Sequence, residues 1–100
     1  MESSTSSGFK TADDLICTQE CLLTGVQLYT DGTSAATLVL YDAQNASGKV
    51  VFKAIANAEA GGGSGSTYLS KNFSFPVECN SLYATITAQA NAEYCIEYIK

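Results

Sequence analysis

Apolar and polar side chains alternate along most of this chain, in short segments separated by turn residues. Alternation with a period of two is typical of β-strands that bury one face, and no segment has the clear 3.6-residue spacing of an amphipathic helix. We therefore expect an all-β fold: an antiparallel β-sandwich or jelly roll of about six to eight short strands. The six main predicted strands are residues 21–29, 36–41, 50–55, 68–77, 82–88 and 93–99.

The alternation also predicts which side chains face the core. In the first main strand, Leu22, Val26 and Leu28 share the apolar face. In the fourth, Phe75 lies on the apolar face, and the neighbouring Pro76 favours a strand end or an edge position because proline cannot donate to a ladder. The strand at 36–41 is apolar on nearly every position and is expected to be central.

Two hairpins are predicted from the turns. Asp31-Gly32 is a strong hairpin signal between the first two main strands. For the last two strands, a register that keeps the glutamates outside places Ile86 opposite Ile96 and Cys95 opposite Thr87.

This register bears on the four cysteines, Cys17, Cys21, Cys79 and Cys95. Cys79 would lie roughly 26 Å from Cys95 at about 3.3 Å per residue, which excludes a disulfide between them. The spacing of the cysteines does not match a zinc site. Buried or half-buried free thiols are the simplest interpretation.

The first 14 residues differ from the rest, since they are rich in Ser and Thr and end in two aspartates. We expect residues 1–14 to form an extended N-terminal arm and residues 15–100 to form a single β-sandwich domain. The arm could be held by a neighbouring subunit or by the surface of its own domain.

The composition narrows the possible chemistry. The chain of 100 residues contains no His and no Arg, and its formal net charge is −5. Without His, the usual Ser–His and Cys–His activation of a nucleophile is not available. The negative charge opposes nucleic-acid binding. We expect no enzymatic activity, no cofactor and no metal, and neither nucleic acid nor a membrane as a partner. The N-terminus lacks the features of a secretory signal, so synthesis in the cytoplasm is expected.

Aromatic side chains on outer strand faces are the remaining candidates for function. Tyr29, Tyr41 and Tyr83 are predicted there, and Phe9 and Lys10 lie in the arm. Exposed tyrosines suit protein interfaces and sugar stacking, although cross-strand packing alone also accounts for them. These five residues are our candidates for partner contact.

Several short motifs resemble those of small β-proteins from tailed bacteriophages. That family typically shows LLTGV, then TLYDA followed by SGTVL, a Gly/Ser loop, NGLYV and an aromatic last strand. The corresponding segments are LLTGV at 22–26, TLVLYDA at 37–43, SGKVV at 47–51 and NSLYATI at 80–86. Asn80-Ser81 replaces the usual Asn-Gly turn, and the four cysteines and the arm are further departures.

The resemblance implies a structural protein of the virion. The first role that it implies is that of a capsid decoration, or cement, protein, which binds the lattice of the major capsid protein. Such a protein is expected to be a homo-oligomer and most often a trimer. It also allows a head–tail, tail or fibre component, including a module that binds a glycan or receptor.

Overall fold

The computed structural model describes residues 5–30, 35–56, 67–88 and 92–100, and these residues form eight β-strands and no helix. The described part therefore also contains no helix long and apolar enough to cross a membrane. The strands are β1 (Thr5–Ser6), β2 (Asp14–Cys17), β3 (Cys21–Thr30), β4 (Ala36–Asp42), β5 (Lys49–Ala56), β6 (Thr67–Cys79), β7 (Leu82–Ala88) and β8 (Ala92–Ile99).

The strands form two four-stranded antiparallel sheets, with the orders β1-β8-β3-β6 and β2-β7-β4-β5. The pairings are nested: β1 pairs with β8, β2 with β7, β3 with β6, and β4 with β5. Eight strands in two sheets with this order form a jelly roll. The all-β class is confirmed, as are the central position of β4 and the edge position of the proline-containing β6.

The core lies between the two sheets and combines large side chains with small ones. The first sheet supplies bulky residues, among them Tyr94 and Ile96, which are fully buried. The second sheet supplies small residues such as Ala54 and Ala84, together with Leu38 and other leucines. The inner faces of two packed sheets interdigitate to form a core of this kind.

A β-bulge in β3 changes which side chains face this core. The register shifts between Leu23 and Gly25, so Leu23 is fully buried and Leu22 is only half-buried. The inward position predicted for Leu22 is therefore wrong, whereas Val26 and Leu28 are buried as predicted. The extra residue reverses the alternation on one side of the bulge, and simple periodicity does not reveal this.

The predicted pairing of the last two strands is wrong. β7 pairs with β2 and β4, whereas β8 pairs with β1 and β3, so the two strands lie in different sheets. Cys95 stands opposite Gln27, not Thr87. The predicted faces of β8 are nevertheless correct, because Ile96 points into the core in either arrangement. Cys79 and Cys95 are both free thiols.

The hairpin predicted between β3 and β4 is also wrong, since these strands belong to different sheets. Asp31-Gly32 itself lies outside the described residues. The Gly- and Ser-rich segment at 61–66 lies outside them too. Of the described strands that follow one another in the chain, β4 and β5 pair directly.

Residues 5–14 of the predicted arm lie against the same domain. β1 pairs with β8, and Lys10 and Tyr94 form a β-bridge farther along the same strand. The Ser7 N–H donates to the carbonyl of Ile96 at 2.8 Å, and the Ser7 hydroxyl accepts from the Ile96 N–H at 2.9 Å. The domain's own surface, one of the two supports expected for the arm, therefore holds these residues. The division of the chain at residue 14 stays a prediction.

Candidate interaction surfaces and thiol cluster

Two of the five candidate contact residues come together on the outer face of the second sheet. Tyr41 of β4 and Tyr83 of β7 are directly opposite in register, and their ring centroids lie 6.4 Å apart at 48°. Both side chains are half-buried. Part of each ring is thus used in cross-strand packing, and part remains available to a partner.

The other candidates lie elsewhere. Tyr29 is half-buried in β3, in the first sheet, and is therefore separated from Tyr41 and Tyr83 by the thickness of the sandwich. Phe9 is 54% exposed in the segment that follows β1. The structure therefore does not gather the five residues into a single surface.

Lys10 is already engaged within the chain. Its Nζ lies 2.6 Å from a carboxylate oxygen of Asp14, and both side chains are partly exposed. The hydrogen bond from Lys10 lowers the pKa of the Asp14 carboxyl. An exposed ion pair of this kind contributes little to stability.

The largest apolar exposure lies at the opposite side of the sandwich, where β5 and β6 are the last strands of their sheets. Between them, the rings of Phe52 and Phe73 meet edge to face, with centroids 5.2 Å apart. Outside this contact, Val50 and Ile55 of β5 are 49% and 47% exposed. We call the outward side of β5 and β6 the open edge, because no further strand is paired there among the described residues.

Phe75 is the most exposed large apolar side chain on the open edge. It is 89% exposed, although alternation placed it on the buried face of its strand. The register passes from Leu23–Val77 to Gly25–Asn72, which leaves residues 73–76 of β6 opposite Thr24 alone. The strand bulges outward over these residues and carries Phe75 away from the core. The inward position predicted for Phe75 is therefore wrong, and Pro76 beside it was the signal for an irregular edge.

Three of the four cysteines cluster at one end of the sandwich. Cys17, Cys21 and Cys79 are buried, with exposures of 4–5%. Cys21 and Cys79 are directly opposite in the β3–β6 ladder, and Cys17 lies close enough to act on the pKa of both. Sequence spacing did not reveal this cluster, because the cysteines come from three separate strands.

Cys21 and Cys79 are held in their protonated form. Burial raises the pKa of Cys21 to about 12 and that of Cys79 to about 11. The carboxylate of Asp42 acts in the same direction on both thiols. Its Oδ1 accepts hydrogen bonds from the backbone N–H groups of Asn80 at 2.8 Å and Ser81 at 3.3 Å, and so fixes the β6–β7 turn beside the cluster.

The cluster borders a shallow pocket of about 490 Å³. Cys21 and Cys79 line it, whereas Cys17 does not. Within the described ranges, no group of three or more Cys, Asp or Glu residues is arranged to hold a metal ion. The remaining lining residues are Glu20, Leu22, Glu78, Asn80, Ile99 and Lys100.

Comparison with known proteins adds a structural likeness. No family model and no curated protein matches the chain. The chain is similar to the cryo-EM structure of the giant freshwater prawn Macrobrachium rosenbergii extra small virus (XSV) VLP, with a TM-score of 0.42 and 8% sequence identity. The similarity covers 99% of this chain and 75% of that chain. A likeness of this extent does not identify a function.

Proposed function

We propose that this chain is a structural protein of a virus particle, specifically a decoration protein that binds the outer surface of a tailed-bacteriophage capsid. The short motifs shared with small tailed-phage β-proteins support this role. The jelly roll is compatible with it, since that fold occurs in viral capsid domains, but it also occurs in lectin domains and does not fix a function. A chain without His or Arg suits a role in contact more than one in catalysis.

The observation that carries the proposal is the exposure of Phe75. Phe75 lies on a strand bulge and is 89% exposed, so almost the whole ring is in contact with water. Covering the ring with a partner removes this apolar surface from water and stabilises the complex. Large aromatic side chains of this kind often dominate the binding energy of an interface. In our proposal Phe75 inserts into an apolar depression on the major capsid protein.

The rest of the open edge supplies a second contact in this proposal. Val50 and Ile55 lie along β5, whose outer backbone groups can pair with another strand. We assign this strand to contact between copies of the chain, as a homo-oligomer with a trimer as the expected form. The few lysines and the exposed backbone supply polar contacts at the rim, since the chain has no arginine.

Electron microscopy of purified particles tests the proposal with two matched variants. Phe75→Ser and Phe9→Ser each remove an exposed phenylalanine, and these residues lie toward opposite edges of the first sheet. We expect the wild-type chain as density on the outer shell, and we expect Phe75→Ser to weaken binding about 30-fold or more, as for loss of a dominant aromatic contact. The proposal places the capsid contact at Phe75 and not at the sequence candidate Phe9, so Phe9→Ser should bind as the wild type does.

Two results would contradict the proposal in different ways. Density confined to the tail or fibres would exclude a decoration role. Loss of binding in Phe9→Ser with retention in Phe75→Ser would identify the arm as the contact. Far-UV circular dichroism of both variants checks that neither result reflects a failure to fold.

A glycan- or receptor-binding module is the second candidate, and the Tyr41–Tyr83 pair favours it. Two adjacent, partly exposed rings can stack on a sugar. A glycan array with the wild-type chain and with Tyr83→Ala tests this role. Signals that disappear in the variant would support it, and an array without signals would count against it.

A further inference from the structure

Cys21 and Cys79 are placed where a cross-strand disulfide can form. Cys21 is the first residue of β3, Cys79 is the last residue of β6, and the two are register partners. Directly opposite residues of an antiparallel pair have Cα atoms about 4.5–5.5 Å apart, and disulfides accept about 4.4–6.8 Å. The position at the strand ends allows the small approach of the two Cβ atoms that bond formation requires.

We propose that Cys21 and Cys79 form a site of reversible thiol oxidation, at which a small-molecule disulfide such as oxidised glutathione links β3 to β6. This proposal does not depend on the role of the chain in a particle. The site is selective, because both thiols line the pocket through which such a molecule approaches and Cys17 does not. The Cys17 thiol donates to the carbonyl of Gln19 at 3.4 Å, as the Cys79 thiol does to the carbonyl of Val77 at 3.7 Å. Cys95 lies in β8 under the arm, where its sulfur is 3.2 Å from the Ser6 hydroxyl.

The reaction proceeds by two thiol–disulfide exchanges. The thiolate of one cysteine attacks one sulfur of the small-molecule disulfide, forms a mixed disulfide and releases one small thiolate. The second cysteine then loses its proton, and its thiolate attacks the protein sulfur of the mixed disulfide and releases the second small thiolate. Two protein thiols are oxidised, and one small disulfide is reduced to two thiols.

Burial raises the pKa of both thiols. Either thiol can make the first attack, and its register partner then resolves the mixed disulfide. Because only a small fraction of either thiol is ionised at neutral pH, the oxidation is slow and becomes faster as the pH rises.

The linkage constrains the unfolded chain over a long loop, from residue 21 to residue 79. Closing a loop of this length stabilises the folded state in the chain-entropy description of disulfides. For a domain of about 100 residues we expect the Tm to rise by about 10 °C or more. The disulfide also fixes the position of Cys79, the last residue of β6, which is the strand that carries Phe75.

Peptide mapping after oxidation tests the proposal on the full chain. The protein is incubated with oxidised glutathione at pH 8.5, free thiols are alkylated, and a glutamate-specific protease cleaves after Glu20, Glu78 and Glu93. These cuts place the four cysteines in four different peptides. We expect a product lighter by two hydrogens, in which the Cys21 and Cys79 peptides are joined, together with the rise in Tm.

Two variants make the outcome decisive. Cys17→Ser should form the same link at the same rate, whereas Cys79→Ser should form no internal link to Cys21. A link between Cys17 and Cys21, or four alkylated thiols in the folded wild-type chain after prolonged oxidation, would overturn the proposal. The wild-type and Cys17→Ser maps decide the matter even if Cys79→Ser does not fold.

Discussion

At the scale of single residues, Gly25 and Gly48 differ greatly in the space that each position offers to a side chain. A Cβ added at Gly25 would lie 3.2 Å from Oδ1 of Asn72 and 3.4 Å from Oε2 of Glu97. Both atoms are ends of side chains that can move. A Cβ added at Gly48 would overlap the Cβ of Ala43, which is fixed to the backbone of the β4–β5 turn.

We therefore expect Gly48→Ala to lower the free energy of unfolding by about 1–3 kcal/mol, as overpacking does. Gly25→Ala should cost less than about 1 kcal/mol, because a small displacement of Asn72 relieves the contact. Urea denaturation of the two variants measures the difference. Equal losses, or a larger loss for Gly25→Ala, would show that the β4–β5 turn adjusts more readily than its geometry indicates.

The buried thiols make the stability of the protein depend on alkaline pH. The pKa of Cys21 rises from 9.0 to about 12 on folding and that of Cys79 to about 11. Above pH 9 the unfolded chain therefore loses protons that the folded chain retains. The contribution of the two protonated thiols to the free energy of unfolding is fully present below pH 9. It falls as the pH rises toward 11–12, by at most about 1.4 kcal/mol per pH unit for each thiol.

Thermal unfolding under reducing conditions at pH 8 and pH 10 measures this loss. We expect a lower Tm at pH 10 in the wild type and a smaller decrease in Cys21→Ser/Cys79→Ser, whose hydroxyls do not titrate in this range. Burial also raises the pKa of Tyr94, but that phenol adds to the loss mainly above pH 10. An unchanged decrease in the double variant would assign the pH dependence to other groups.

Sequence patterns predict the burial of individual side chains correctly where the strands are regular and incorrectly where they bulge. Val26, Leu28 and Ile96 were correctly expected in the core. Leu22 and Phe75 were not, because bulges in β3 and β6 interrupt the period of two. A bulge depends on how two strands accommodate each other, and single-strand periodicity holds no information about the partner.

At the scale of elements, the segment over residues 5–10 protects the outer side of β8. Ser6 lies against Cys95, and Ser7 pairs with the backbone of Ile96. The buried Tyr94 adds a further link, since its hydroxyl donates to the carbonyl of Ala12 at 2.7 Å. Cys95 is only 5% exposed under this cover.

Deleting residues 1–8 should expose Cys95 and one edge of β8. We expect Cys95 to react with iodoacetamide at least about tenfold faster than in the full chain, because the local opening that reaction requires is already present. Glutamate-specific digestion separates Cys95 from the other three cysteines, whose rates serve as internal controls. Equal protection of Cys95 in both chains would show that the arm does not provide the cover. A uniform increase at all four cysteines would indicate general unfolding.

The strands themselves were more predictable than their neighbours. Six predicted segments correspond to β3 through β8 with small differences at their ends. β1 and β2 were not identified individually, because strands of two and four residues are too short to show alternation. The pairing of β7 with β8 was predicted from a short loop and compatible faces. A short loop can also cross from one sheet of a sandwich to the other, and the face pattern is the same in both cases.

At the scale of the whole molecule, the open edge is the feature that bears on assembly. Unpaired edge strands with apolar side chains are a template for pairing with another chain, and added lysines weaken this tendency. β5 already carries Lys49 and Lys53 at exposed positions, so its exposed apolar side chains would have to provide the contact. Val50 and Ile55 lie on β5, whereas Thr87 lies on β7 in the interior of the same sheet. The expected homo-oligomer can therefore be tested at the edge itself.

We expect the wild-type chain to sediment as an oligomer, with a trimer as the expected form, and Ile55→Lys to raise the dissociation constant tenfold or more. Thr87→Lys adds the same charge to an exposed position away from the edge and should sediment as the wild type does. Analytical ultracentrifugation over a range of concentrations measures all three chains. A wild type that remains monomeric, or equal effects of the two lysines, would contradict a role for the open edge.

The nested order of the strand pairs has a consequence for how the chain reaches its structure. β4 and β5 are joined by a short turn and can pair at once, whereas the β1–β8 pair brings Thr5 to Tyr98 across almost the whole described chain. The two strands of each outer pair are brought close together only after the pair inside it has formed. Closing a long loop in several short steps costs less conformational entropy than closing it in a single step. Folding should therefore begin at the middle of the sequence and proceed outward in both directions, with the N-terminal segment the last to find its place.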